Sequence, residues 1–336
     1  MRRVVRVAVC AAVAAAAVAL SVPAGSAAAV QGSTFTDDPV SLGITGVSPH
    51  VERTAAGDRV WRSDGPAGTN VSLCTEAGAC TAETLSTGGG GPLSDFAVAQ
   101  APSGLRAYFK RMVPGATQAV YSAPCLDANC LSIGAGVQAS PEMQVPSGTK
   151  AWGVPDPVRL PDGRVRVYIV ESPVPGGCTE KVASYTSADG VSFTKDAGWR
   201  FEGGYVDTEV LRARDGDWLM IMADGPGCGM AQRLYVSQST DGLAWSAPVA
   251  VTGSDRSRLD PAGYEVSPNV FRIYFAASGG RMDMNFTVGR GTLRVAAGKA
   301  AAPKAGAPCT AAGAKAKAGK VTLTCKRTKG KLTWSR

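Results

Sequence analysis

The sequence predicts an all-β chain in which one strand-turn-strand unit is used five times around a common axis, followed by a small disulfide-linked hairpin module. Three observations carry this. Short segments of alternating or β-branched apolar residues recur, clearest at 164–170, 218–223, 233–237 and 271–276, while helix-like periodicity is scarce. Asp-Gly and related turn pairs separate them. Internal repetition then fixes the architecture.

At the N-terminus, Arg2, Arg3 and Arg6 precede an unbroken apolar run, 7–20, and the small residues 24–29 follow Pro23. These are the three parts of an export leader, so residues 1–29 are expected to be removed. The run is shorter than the roughly 18 residues a spanning helix needs, and no later stretch approaches that length, so no transmembrane anchor is expected. Cys10 lies inside the leader without the flanking residues of a lipid-attachment signal.

Eight cysteines remain, an even number suited to an oxidising, extracellular or cell-wall location. Their neighbourhoods pair Cys74 with Cys80, Cys125 with Cys130, and Cys309 with Cys325, which leaves Cys178 with Cys228. A single histidine and the lack of any Cys-x-x-Cys pair argue against a zinc site. No cofactor or metal is expected.

The body of the chain, 30–297, holds the repeats. The segment from Asp156 through Val158, Leu160 and Asp162-Gly163 to Tyr168 matches that from Asp207 through Val210, Asp215-Gly216 and Trp218 to Met220: an acid, a short strand, a turn and a second strand. Weaker copies start at His50, Asp95 and Asp260. With Trp61, Tyr108, Tyr168, Met220 and Tyr274 as one recurring position, the intervals are 47, 60, 52 and 54, a period that fits a four-stranded propeller blade. Two units continue into Ser187-Ala188-Asp189-Gly190-Val191-Ser192-Phe193 and Ser239-Thr240-Asp241-Gly242-Leu243-Ala244-Trp245. Here Asp bonds its own turn, Gly takes positive φ, and the aromatic packs between sheets. The first two units carry Cys74…Cys80 and Cys125…Cys130 at this place, so a local disulfide is expected to close the same turn.

These hairpins, with Asp156-Pro157-Val158 and Leu160-Pro161-Asp162-Gly163-Arg164, resemble the five-bladed propellers of the arabinanase, β-xylosidase and levansucrase glycosidases over residues 40–295, and more loosely the sialidase repeat. The resemblance implies a carbohydrate substrate. It also implies that a base Asp, a second Asp that tunes pKa and an acid Glu come from successive inner strands. By order and type these are Asp95, Asp156 and Glu209, with Asp207 as substitute for either aspartate. The first unit, where such a base usually lies, has Ser48-Pro49-His50 instead. Glycoside hydrolysis needs two carboxylates across the bond, and radial blades would gather these acids at one funnel. His50, Asp260 and Glu265 are further candidates for contacting substrate, and Trp152 and Tyr205, just before the acids of units three and four, for stacking on sugars. The competing expectation is that acids such as Asp156 and Asp260 cap turns, in which case the propeller binds glycan or protein without catalysis.

Charge divides the chain. Residues 304–336 contain nine Lys or Arg and no acid, whereas 30–303 carry 27 acids against 23 basic residues. Residues 298–308 read as a linker, and 309–336 as a basic disulfide module whose natural partner is an anionic cell-wall polymer. Nucleic acid is not expected, because no base-stacking motif accompanies the lysines.

Overall fold

The computed structural model describes residues 30–336 apart from 66–67, 90, 114–116, 146–152, 172–176, 214–215, 281–282, 297–304, 307–312, 314, 319–320 and 329–330. The expected leader, Trp152, Cys309 and most of the expected linker therefore lie outside the described residues.

The body is a five-bladed propeller. The first four blades begin with innermost strands Val47–Thr54, Ser94–Ala101, Asp156–Arg159 and Tyr205–Arg212, and each runs outward through antiparallel neighbours in chain order. The fifth is composite. Ser257–Ser267, Val270–Ser278 and Thr287–Arg294 supply three strands, and the N-terminal Thr34–Asp37 adds the outermost, pairing Thr34 with Arg294 and Asp37 with Gly291. Each innermost strand contacts those of both neighbouring blades, and the fifth returns to the first. The sequence signalled the five units but not the strand that closes them. Beyond the ring, Lys315–Ala318, Val321–Thr328 and Lys331–Ser335 form a separate three-stranded sheet that buries Leu323 and Cys325.

Apolar burial lies between blades. Blades one and two enclose Trp61, Val71, Phe96 and Phe109, and blades two and three enclose Tyr108, Val120, Val167 and Phe193. Blades three and four enclose Tyr168, Val182, Trp218 and Met220, and blades four and five enclose Ile221, Val236, Phe271 and Leu293. Blades five and one close over Val51, Val60, Ala262 and Tyr274. A sheet sandwiched on both faces explains the near-continuous apolar runs, such as the wholly buried Trp218–Asp224.

The outer hairpins lock these junctions. In blade three Asp189 Oδ1 accepts from the amides of Val191 and Ser192, and the Gly190 carbonyl accepts from Tyr108 Oη of blade two at 2.9 Å. Blade four repeats the device: Asp241 Oδ1 accepts from Leu243 and Ala244, and Tyr168 Oη donates to the Gly242 carbonyl at 2.7 Å. Phe193 and Trp245 stand edge-on to the same tyrosines. In blade two the turn is closed by Cys125–Cys130, with Asp127 accepting from Asn129, Leu131 and Ser132. In blade one it is closed by Cys74–Cys80. Cys178–Cys228 ties blade three to blade four.

Register corrects one sequence reading. Trp61, Tyr108, Tyr168 and Tyr274 pair with His50, Ala97, Asp156 and Ala262, but the equivalent pair in blade four is Glu209 with Ile221, not with Met220. The bulge after Val206, invisible in the hydrophobic pattern, puts Glu209 rather than Asp207 at the position equivalent to Asp156 of blade three.

A Cβ on Gly242 would sit 2.8 Å from Tyr168 Oη and 2.9 Å from an Arg166 nitrogen, and its φ is +70°. Gly242→Ala is expected to lower unfolding free energy by about 2 kcal/mol in urea denaturation, combining left-handed strain with lost docking. Alanine at the open, equally left-handed Gly163 should cost only the strain, about 1 kcal/mol.

Candidate functional site

The inner strands of blades one, two, four and five share a local distortion. Each carries a bulge near its start, and in each the first bulge residue adopts φ near +50°: Ser48, Asp95, Asp207 and Asp260. Left-handed geometry is tolerated best by residues whose short polar side chain bonds locally, and three of the four are Asp. The residue after each bulge forms a second level: His50, Ala97, Glu209 and Ala262, joined by Asp156 of blade three. The expectation that Asp95, Asp156 and Asp207 hold like positions therefore needs correction. Asp95, Asp207 and Asp260 belong to one level; Asp156, Glu209 and His50 belong to the next.

At the first level Asp95 is ion-paired with Lys110 of its own blade, and its amide donates to Ser63 Oγ of blade one at 2.8 Å. Asp207 and Asp260 lie within side-chain hydrogen-bonding reach of one another. Burial pushes Asp207 well above the usual carboxylate range, and the neighbouring Asp260 charge adds to it. Burial, then the Asp95 charge, raise Asp260 to about 6. Lys110 opposes the rise at both. Sequence reading missed Lys110 because it sits on a second strand among residues that read as ordinary surface alternation.

At the second level Asp156 and Glu209 are hydrogen-bonded, and burial raises both carboxyls well above their ordinary values. The Asp156 charge raises Glu209 further. These side chains also reach across the ring. Asp156 Oδ2 accepts from Val210 N of blade four at 2.7 Å, Glu209 Oε1 accepts from Gly263 N of blade five at 2.9 Å, and His50 Nε2 accepts from Val98 N of blade two at 3.1 Å. In each case the donor is the residue following the second-level position of the next blade. Blade three offers Pro157 there, which has no N–H, and the residue of blade two that would face it is Ala97, which has no acceptor. At the first level Asp260 Oδ2 accepts from Ser48 N at 2.8 Å. The aspartates thus cap the neighbouring blade rather than their own turns.

Asp95, Asp156, Asp207, Glu209 and Asp260 are 4–8% exposed. Glu265 stands apart, at the far end of its strand, where Oε1 accepts from Asn269 N in the following turn. Tyr205 packs edge-on against Tyr235 and Phe201 at the start of blade four. Among the described residues no group of three or more His, Cys, Asp or Glu side chains is arranged to hold a metal ion, and no helix is long and apolar enough to cross a membrane.

Two outcomes test this geometry. Asp156→Ala leaves the Val210 N–H unpaired and is expected to cost about 1–3 kcal/mol in chemical denaturation, whereas Asp156→Asn, which keeps an acceptor, should cost clearly less. Because the folded-state pKa of Asp260 lies above its unfolded value near 4, the folded protein gains stability as pH falls through about 6 and loses it as pH rises. Thermal melting of wild type relative to Asp260→Asn should therefore improve between pH 7 and pH 5; a parallel pair of curves would contradict the assignment.

No protein-family model matches the chain, and no curated protein matches its sequence. Solved structures do match its fold. A thermostable family-43 glycoside hydrolase aligns over 89% of this chain and 96% of its own, with a TM-score of 0.58 at 12% identity. An endo-arabinase from Bacteroides thetaiotaomicron VPI-5482 aligns over 79% and 99%, with a TM-score of 0.58 at 10% identity. An N-acetylgalactosamine deacetylase from F. plautii, solved with blood group B trisaccharide, aligns over 80% and 94%, with a TM-score of 0.54 at 11% identity. At such identities the likeness is one of fold, and the fold of this chain is the five-bladed propeller found in family-43 glycoside hydrolases.

Proposed function

We propose that this chain is an exported, carbohydrate-active propeller that hydrolyses a glycosidic bond at the end of the ring where the inner strands begin. The observation that carries the reading is the hydrogen-bonded Asp156–Glu209 pair, in which burial and the Asp156 charge favour a protonated Glu209. A leaving-group acid must hold its proton at working pH, and a second carboxyl beside it is the usual means of raising its pKa. Asp156 then tunes Glu209. Asp95, ion-paired with Lys110, takes the role of base or nucleophile, with Asp207 as its alternative. His50, Trp152, Tyr205 and Asp260 remain proposed substrate contacts, whereas Glu265, placed at a remote turn, does not fit that role. The neighbours of like fold that act on glycans support the substrate class.

Export is supported by the leader-like N-terminus and by three disulfides among the described residues. The lysine-rich C-terminal sheet, with Lys326 and Arg327 exposed, fits retention on an anionic cell-wall polymer.

A second reading, a propeller that binds glycan without cleaving it, is favoured by one specific observation. The carboxyls of Asp156, Glu209 and Asp260 each accept a backbone N–H of the adjoining blade, work that needs no substrate. Turnover of a panel of arabinan, xylan, galactan and microbial cell-wall glycans separates the two. The hydrolase reading expects reducing-end release that falls at least a hundredfold in kcat with Glu209→Gln. Binding without release by the wild-type protein would leave the second reading standing.

A further inference from the structure

A groove of about 470 Å³ runs along the seam where the fifth blade meets the first. One wall is Thr45, Gly46 and Val47 with Ser63, Asp64 and Gly65 from blade one; the other is the segment 284–287 of blade five. It opens at the end of the propeller where the inner strands begin, because Val47 starts the innermost strand and Ser63 ends the next. Ser63 is a buried wall residue whose Oγ accepts from the Asp95 amide, and Ser48, next to Val47, donates its amide to Asp260. The wall of the groove is therefore hydrogen-bonded, through Ser63 and the residue next to Val47, to the first level of axial carboxyls.

Its chemistry is mixed in a particular way. Met284 is 76% exposed, an unusual state for so large an apolar side chain, and Phe286 is half-buried beside it. Between and opposite them stand Asn285, Thr45, Thr287 and Asp64. Among the described lining residues there is one carboxylate and no cation, which disfavours an anionic ligand. Apolar platforms interleaved with amide, hydroxyl and carboxylate groups match a neutral ligand with one C–H face and a rim of hydroxyls.

We propose that this seam groove holds the sugar units flanking the one at the axial carboxyls, with Phe286 and Met284 as its platform and Asn285 and Asp64 as hydroxyl partners. The substrate is then a neutral oligosaccharide or polysaccharide chain rather than a single terminal sugar. This rests on the carbohydrate reading above and extends it to substrate length.

Isothermal titration of the full chain with arabino-, xylo- and galacto-oligosaccharides, from mono- to pentasaccharide, tests it. The expected result is affinity that rises with chain length in at least one series. In that series Phe286→Ala should weaken the longer ligands about tenfold, the scale of one aromatic contact, and leave the monosaccharide unchanged. The exposed Met284→Ser, which has little to disturb in the fold, should act in the same direction. Binding that is independent of length, or equal losses for monosaccharide and pentasaccharide, would overturn the groove while leaving the carbohydrate reading intact. Absence of binding in all three series would overturn both.

Discussion

The structure depends on closing a ring. A propeller has no single centre of apolar packing; its buried faces lie at five junctions, and each blade is stable only because a neighbour covers it on either side. Opening one junction would expose two sheet faces at once. The seam between the fifth blade and the first is accordingly reinforced by more than apolar contact. Thr34–Asp37 completes the fifth sheet. Tyr264 and Tyr274 both donate to Asp58 of blade one. Arg290 pairs with Asp38 and donates to the Glu76 carbonyl, and Arg272 forks onto the Glu76 carboxylate. The buried Asp58 is tolerable because two phenols satisfy it.

The same constraint accounts for the polar axis. Where five strands converge, bulged backbone leaves amides that no ladder partner can take, and buried amides must find acceptors. Acidic and histidine side chains from the preceding blade supply them. Once carboxyls are placed there, lack of solvent and mutual repulsion raise Asp207 and Glu209 well above the usual carboxylate range, while Lys110 ion-pairs with Asp95 within the cluster. Structural necessity and candidate acid chemistry thus arise from one arrangement.

Much of this was legible in the residues, and the parts that were not have physical reasons. The Asp-Gly hairpins announced themselves because turn geometry demands those residue types, and Asp189 and Asp241 cap the turns expected of them. Short spacing made the Cys74–Cys80 and Cys125–Cys130 pairs readable, and elimination made Cys178–Cys228 readable. Thr34–Asp37 escaped notice because an edge strand of four polar and aromatic residues has almost no pattern of its own; its partner lies across the whole body. The two levels of axial residues were hidden because a bulge shifts facing by one position without changing composition. That is why Asp156, which precedes a proline exactly as Asp260 does, nevertheless aligns with Glu209.

The closing strand carries a consequence for how the chain comes to be folded. Residues near position 35 hydrogen-bond to residues near 293, so the last sheet cannot assemble until almost all of the body is available to fold. Until then the first blade presents an uncovered apolar face, and the entropic penalty for joining such distant segments must be met in one late step. Cross-links at Cys74–Cys80 and Cys125–Cys130 join residues six and five apart, so they can form as soon as their own hairpins appear. Cys74–Cys80 falls in blade one, which waits longest for its second neighbour, and would hold that early hairpin in register during the wait.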